Sequence, residues 1–330
     1  MKKLVLVLSL LVVVFSLCAW QSPDQPYDVA VIIKATDSDF WQYVLVGAEN
    51  YGAEFPERVK ISTFGPPSEA DIEQQVSILE DVISGNPDAI VISSTSSDAT
   101  IPAIERAMDS GIPVVTIDNR VNTDKVTSFI ATDNIIAGGR AAEEMLKMLK
   151  ERYGDDLSGK AISVVSSIAG VKVMEDRDSG FLNKMKEIAP EIEIIEPQYC
   201  DNDMTKAMSI TEDLITANDN LVGLYGGNNI TGSGISRVIS QLGKEEDIVV
   251  IAFDSDPEEV KGLEAGSIDA LVVQDPYGMG YQGVDFVYKT LMGETVDKEV
   301  ETPVALVTRE NFKDEAIQGL LDPYSRKINK

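Results

Sequence analysis

The chain has 330 residues, long enough for two domains of ordinary size, and with 44% hydrophobic and 25% charged residues it reads as a folded globular protein. Its 55 acids against 28 bases give a net charge of −27, a field that repels phosphate backbones and anionic headgroups and makes nucleic acid a poor partner. With no histidine and only two cysteines, His-based triads, His zinc sites and CxxC clusters are excluded, whereas carboxylate sites for calcium or magnesium are not.

The first residues, "MKKLVLVLSLLVVVFSLCAW", place two lysines before an apolar run from Leu4 to Leu17. A membrane-spanning helix needs roughly 20 such residues, so residues 1–18 are predicted to be a removable export signal. Cys18 sits where a lipoprotein signal puts its acylated cysteine, yet Leu17 is larger than the small residue usual before it. A lipid anchor on Cys18 and simple secretion with Cys18 discarded both stay open. Cys200 has no assured partner, and no disulfide framework follows.

From Asp28 onward a short β-branched run, a loop and a helix-length segment recur. The strongest predicted strands are "DVAVII", "DAIVISS", "PVVTID", "AISVVSS", "LVGLYGG", "IVVIAFD" and "ALVVQD". Continuous apolar runs of this kind suit parallel strands covered on both faces. Between them lie helices with recognisable starts, such as Ser68 three residues before Asp71 ahead of "IEQQVSILEDVI", and Pro257 ahead of "EEVKGLEAG" with its glycine stop. Strand and helix in alternation predict right-handed βαβ units.

The apolar strands end in Lys34, Ser93, Asp118, Ser166, Asn228, Asp254 and Gln274. In open α/β sheets ligands bind beyond the carboxyl ends of the strands, so these positions should converge on a site, although Asp, Ser and Asn there also cap helices. Seven clear strands and several weaker ones exceed one domain of usual size. Two doubly wound parallel-sheet lobes are therefore predicted, the first breaking near Ala131 to Asn134, with Asn134 capping the next helix.

Several motifs, in this order, resemble one family: the aromatic pair Phe40 and Trp41, "GIPVVTIDNR", "FIATDNIIAGGRAA", "GFLNKM" preceded by Arg177, "LYGGNN", "VVIAFDSDPE" and "ALVVQDPYGMGYQGV". From about Asp28 to Asn311 the chain resembles the type I periplasmic sugar-binding proteins of the ribose-, arabinose- and galactose-binding group. The resemblance implies two α/β lobes joined by three hinge crossings, closing on a sugar. The first lobe would be residues 28–133 plus 276–308, and the second 134–275 plus the tail 309–330.

A sugar offers a rim of hydroxyls and two weakly apolar faces, which charge-assisted hydrogen bonds and aromatic rings suit. By resemblance Asp118 and Asp254 accept from hydroxyls, Arg177 donates a planar fork, and Asn228 and Gln274 donate and accept at once. Phe40 and Trp41 would stack on the ligand, with Trp41 the better candidate, and Asp37 and Ser38 would stand on the same loop. Lys34 replaces a serine of the ribose pattern and looks like the lysine of the arabinose branch, so Lys34→Ala is expected to weaken binding with folding nearly intact. Asn119 stands where the ribose branch has an arginine, and Asn202 near a family aromatic, so ribose itself is not implied. Lys34 and Arg177 against Asp118 and Asp254 is a near balance that suits a neutral sugar or polyol.

The resemblance implies an exported, monomeric binding protein without cofactor, metal or catalytic residue, held at a membrane only through a Cys18 lipid. It would lie in the periplasm or at the outer face of the cytoplasmic membrane and deliver its ligand to the permease of an ABC importer. A sensor module for a chemoreceptor or histidine kinase would use the same form. A repressor of the lactose-repressor type would need a basic helix-turn-helix where this chain has its apolar segment. A glycosidase built on Asp118 and Asp254 conflicts with their implied roles as hydroxyl acceptors.

Overall fold

The computed structural model describes residues 25–328, so the predicted export signal and Cys18 lie outside the described residues. In chain order the strands are β1 (Tyr27–Ile32), β2 (Val59–Phe64), β3 (Ala89–Ile92), β4 (Val114–Ile117), β5 (Ser128–Thr132), β6 (Ala161–Ser166), β7 (Glu193–Ile194), β8 (Gln198–Tyr199), β9 (Leu221–Gly226), β10 (Val249–Phe253), β11 (Ala270–Val273), β12 (Glu299–Thr302) and β13 (Ala305–Thr308). The helices are α1 (Asp39–Glu54), α2 (Ile72–Ser84), α3 (Ile101–Asp109), α4 (Asn134–Tyr153), α5 (Lys172–Ile188), α6 (Met204–Ala217), α7 (Asn229–Leu242), α8 (Pro257–Ala265), α9 (Pro276–Leu291) and α10 (Glu315–Leu321).

Two sheets form, in the orders β12-β5-β4-β3-β1-β2 and β13-β11-β10-β9-β6-β7, with β8 also pairing β6. The first is parallel throughout, and β13, antiparallel to β11, is the exception in the second. Each sheet has an apolar cluster on both faces, as the continuous hydrophobic runs of its central strands require. All seven of the strongest predicted strands are strands. The edge strands β2 and β12 carry exposed residues and so lack that signature in the sequence.

The chain crosses between the sheets after β5, after β11 and between β12 and β13. That last crossing corrects the expected boundary at residue 308, because β13 pairs with β11 of the second sheet. Pro303, which has no N–H for the ladder, follows β12 directly. The tail is also divided. Leu321 at the end of α10 packs in the second lobe, but the 3₁₀ turn Pro323–Arg326 returns to the first. There Asn50 on α1 donates to the Arg326 carbonyl (2.7 Å) and accepts from Ile328 N–H (2.9 Å), and Tyr324 packs edge-on against Tyr43. Among the described residues no helix is long and apolar enough to cross a membrane.

Candidate functional site

The first-lobe wall is built on the ends of β1 and β4. Lys34, 3% exposed, donates from Nζ to Asp118 Oδ2 at 2.7 Å. Asp118 follows β4 with φ +60°, a left-handed conformation that aspartate tolerates better than most side chains, while its N–H still bonds the Ile130 carbonyl. Ser93 Oγ reaches the same Oδ2 at 3.5 Å, and Oδ1 has no hydrogen bond among the described residues. Phe40 and Trp41 open α1 and meet edge to face, ring centroids 4.7 Å apart. The Lys34 ammonium lies 5.3 Å from the Trp41 centroid, and Trp41 Nε1 donates to Glu69 Oε1 at 2.6 Å.

The second-lobe wall repeats the strand-end carboxylate. Asp254 follows β10 with φ +91°, its N–H bonded to the Val272 carbonyl. Its Oδ1 accepts from Gln274 Nε2 (2.7 Å) and its Oδ2 from the Asn229 backbone (3.2 Å). Burial pushes the Asp254 carboxyl up, and Arg177 only partly offsets this.

Arg177 is placed by the packing of α4 on α5. A Cβ on Gly138 would overlap the Arg177 carbonyl oxygen, and one on Gly180 the Ile135 carbonyl, so the two backbones touch. In this position Arg177 Nε donates to Asn134 Oδ1 and Nη1 to the Gly227 carbonyl, both at 2.9 Å, and the guanidinium lies over Phe253. Asn134 therefore does not cap α4. Asp133 does, accepting from Ile136 N–H, which frees Asn134 to orient the arginine.

Eight of the predicted residues line one cavity between the walls: Lys34, Phe40, Trp41, Asp118, Arg177, Asn228, Asp254 and Gln274. The other four lie outside it. Asp37 is exposed on its loop. Ser38 is buried and accepts from Asn229 Nδ2 at 3.0 Å, a direct bond from one lobe to the other. Asn119 is fully buried and donates to the Ser94 carbonyl. Asn202 accepts from Asn228 Nδ2, and Asn228 itself caps α7 through Thr231, so much of its amide is already engaged.

Glu69, Val173, Met174 and Asn229 also line the cavity and were not anticipated. Val173 and Met174 bring apolar surface from the second lobe to the same cavity as the aromatic pair. Asn229 adjoins Asn228 in "GGNN". Glu69 lies on the loop after β2, and the rule that pointed to the other strand ends would have reached it had that half-exposed strand been read as strongly as the rest. Burial raises the Glu69 carboxyl, opposed by Lys34 and by the Trp41 bond. Gln274 Oε1 is buried without a partner among the described residues, an acceptor at the cavity wall. Beside the site, burial pushes Asp256 up to about 7 despite its bond from Asn229, and raises Glu259 well above the usual carboxylate range. No group of three or more Asp, Glu, His or Cys side chains among the described residues is placed to hold a metal ion.

A family model described as a periplasmic binding protein domain matches residues 29–295. A carbohydrate transporter solute binding protein from Agrobacterium radiobacter, solved in complex with D-arabinose, is 34% identical, with 90% of this chain and 99% of that one covered and a TM-score of 0.85. An ABC transporter solute binding protein from Agrobacterium vitis with bound D-fucose is 32% identical, with 89% and 99% covered and a TM-score of 0.82. The D-allose-binding periplasmic protein of Escherichia coli (strain K12) is 26% identical over 264 residues, 78% of this chain and 82% of that one.

Proposed function

Since the chain belongs to the periplasmic binding protein family, we propose that it captures a neutral monosaccharide or related polyol between its lobes and delivers it to an ABC-type importer. The observation that carries this reading is the cavity itself, where two strand-end carboxylates, a lysine, an arginine and amide groups surround a space bounded by Phe40, Trp41, Val173 and Met174. Carboxylates and amides accept from hydroxyls, Arg177 and Lys34 donate to them, and the apolar groups cover the ring faces. The two Agrobacterium relatives are transporter solute binding proteins, which favours delivery over sensing.

Closure follows from the same geometry. Ligand touching both walls binds the closed form with more contacts than the open one, and that difference shifts the population. The Ser38–Asn229 bond and the return of the C-terminal turn to α1 would then make the surface of the closed form distinct for a permease. In this reading the mature protein works as a monomer outside the cytoplasmic membrane, either secreted without Cys18 or held there by a lipid on Cys18.

Isothermal titration calorimetry with D-arabinose, D-fucose, D-ribose, D-allose and myo-inositol tests the reading. At least one is expected to bind with a Kd of about 1 μM or below, in line with contacts of this number and kind. Flat heats across these and other neutral monosaccharides would overturn it.

A further inference from the structure

The cavity contains one more carboxyl group than its cations answer. Lys34 is committed to Asp118 at 2.7 Å, and Arg177 spends Nε and Nη1 on Asn134 and the Gly227 carbonyl while its charge bears on Asp254. Glu69 has no ion-pair partner of its own among the described residues. Its single hydrogen bond there comes from the Trp41 indole to Oε1, and Oε2 has none.

The surroundings sharpen the mismatch. Asp118 and Asp254 both act on Glu69 with the same sign of charge, and Lys34 opposes them. A half-buried carboxylate with one neutral protein donor keeps acceptor capacity on Oε2, and a charge-assisted hydrogen bond from a ligand hydroxyl would use it. Loop 65–71 brings half-buried Glu69 to the cavity lining, so a ligand in the cavity is placed to supply a further donor.

We propose that Glu69 is a specificity-determining residue that accepts a ligand hydroxyl through Oε2 while Oε1 fixes the Trp41 ring against the sugar face. The inference rests on the reading of this cleft as a monosaccharide site. It adds a selection rule. A ligand must present a hydroxyl donor at the Glu69 corner, and a ligand with a carboxylate or phosphate there meets an uncompensated negative charge. With Glu69 counted, the five charged groups of the lining carry three negative against two positive charges, so the wall as a whole disfavours anionic sugars.

Direct contact and mere support of Trp41 give different results when the two residues are varied together. Glu69→Gln keeps an acceptor for the Trp41 N–H but loses the carboxylate, and Trp41→Phe keeps a ring but removes the donor. Calorimetry would use whichever neutral sugar of the panel above binds the wild-type protein, with thermal melts to confirm that each variant is folded. Glu69→Gln is expected to weaken binding about tenfold or more, as loss of a charge-assisted hydrogen bond does, and by a similar factor in the Trp41→Phe background. Glu69→Gln with affinity within about twofold of wild type, or an effect that vanishes in the Trp41→Phe background, would overturn the direct contact. Wild-type protein that binds no neutral sugar would instead overturn the functional reading, and the Glu69 role with it.

Discussion

Asp118 in the first lobe and Asp254 in the second each follow a central strand with positive φ, and each keeps its N–H on the neighbouring strand, at Ile130 and Val272. Each lobe also brings two helices together across glycines, Gly47 with Gly280 between α1 and α9, and Gly138 with Gly180 between α4 and α5. The lobes differ in how they answer the carboxylate. Asp118 is ion-paired to buried Lys34, whereas Asp254 is satisfied by neutral donors, Gln274 and the Asn229 backbone, with Arg177 acting at longer range. The same backbone device thus presents a self-neutralised acceptor on one wall and a carboxyl with raised proton affinity on the other.

The largest expected effect tests that contrast by removing each acid. Asp118→Ala strands a buried ammonium in direct contact and should cost about 3–5 kcal/mol in denaturant unfolding, while Asp254→Ala strands directly bonded donors that are neutral, with Arg177 held by its other hydrogen bonds, and should cost about 1–3 kcal/mol. The difference would disappear if the two melts shifted equally. The same argument revises the sequence-based expectation for Lys34→Ala: with Lys34 buried against Asp118, folding should suffer along with binding, and Lys34→Met combined with Asp118→Leu should recover much of the loss.

A second test uses pH, because burial raises several carboxyls of the second lobe: Asp178 to about 6, Asp256 to about 7, and Asp254 and Glu259 likewise above their ordinary values. For Asp256 the folded value lies above the ordinary 3.8, so the folded state holds the proton more tightly. Its contribution to stability is full below the ordinary value and is lost as pH rises through about 7. The melting temperature should therefore fall between pH 5 and pH 8, by scanning calorimetry, and Asp256→Asn should flatten that slope. A melting temperature that rises over this range would contradict the assignment. Asp39, Glu258 and Asp254 act on Asp256 with the same sign, and Asn229 opposes them through its hydrogen bond.

The smallest effect concerns the bond joining the lobes. Ser38→Ala removes the acceptor of this bond while leaving Asn229 on Asp256, and should weaken ligand affinity about fivefold, the value of roughly 1 kcal/mol for one hydrogen bond. Calorimetry with the bound sugar measures it, and an unchanged Kd would assign closure to other contacts.

The sequence by itself determined the alternation of strand and helix, the two-lobe class, and the convergence of Lys34, Asp118, Asn228, Asp254 and Gln274. Those features are local: a buried parallel strand must be continuously apolar, and a polar residue at its carboxyl end must face the sheet's open edge. Tertiary structure decided what depends on neighbours distant in the chain. It engaged Asn119 with Ser94 and set Asn202 behind Asn228, gave Asn134 to Arg177 instead of to a helix cap, and moved residues 305–308 into the second sheet. It also carried Glu69 from a loop after a half-exposed strand to the indole of Trp41. A hydrogen bond between residues 28 positions apart leaves no periodicity in the sequence, because the partner is supplied by packing and not by spacing along the chain.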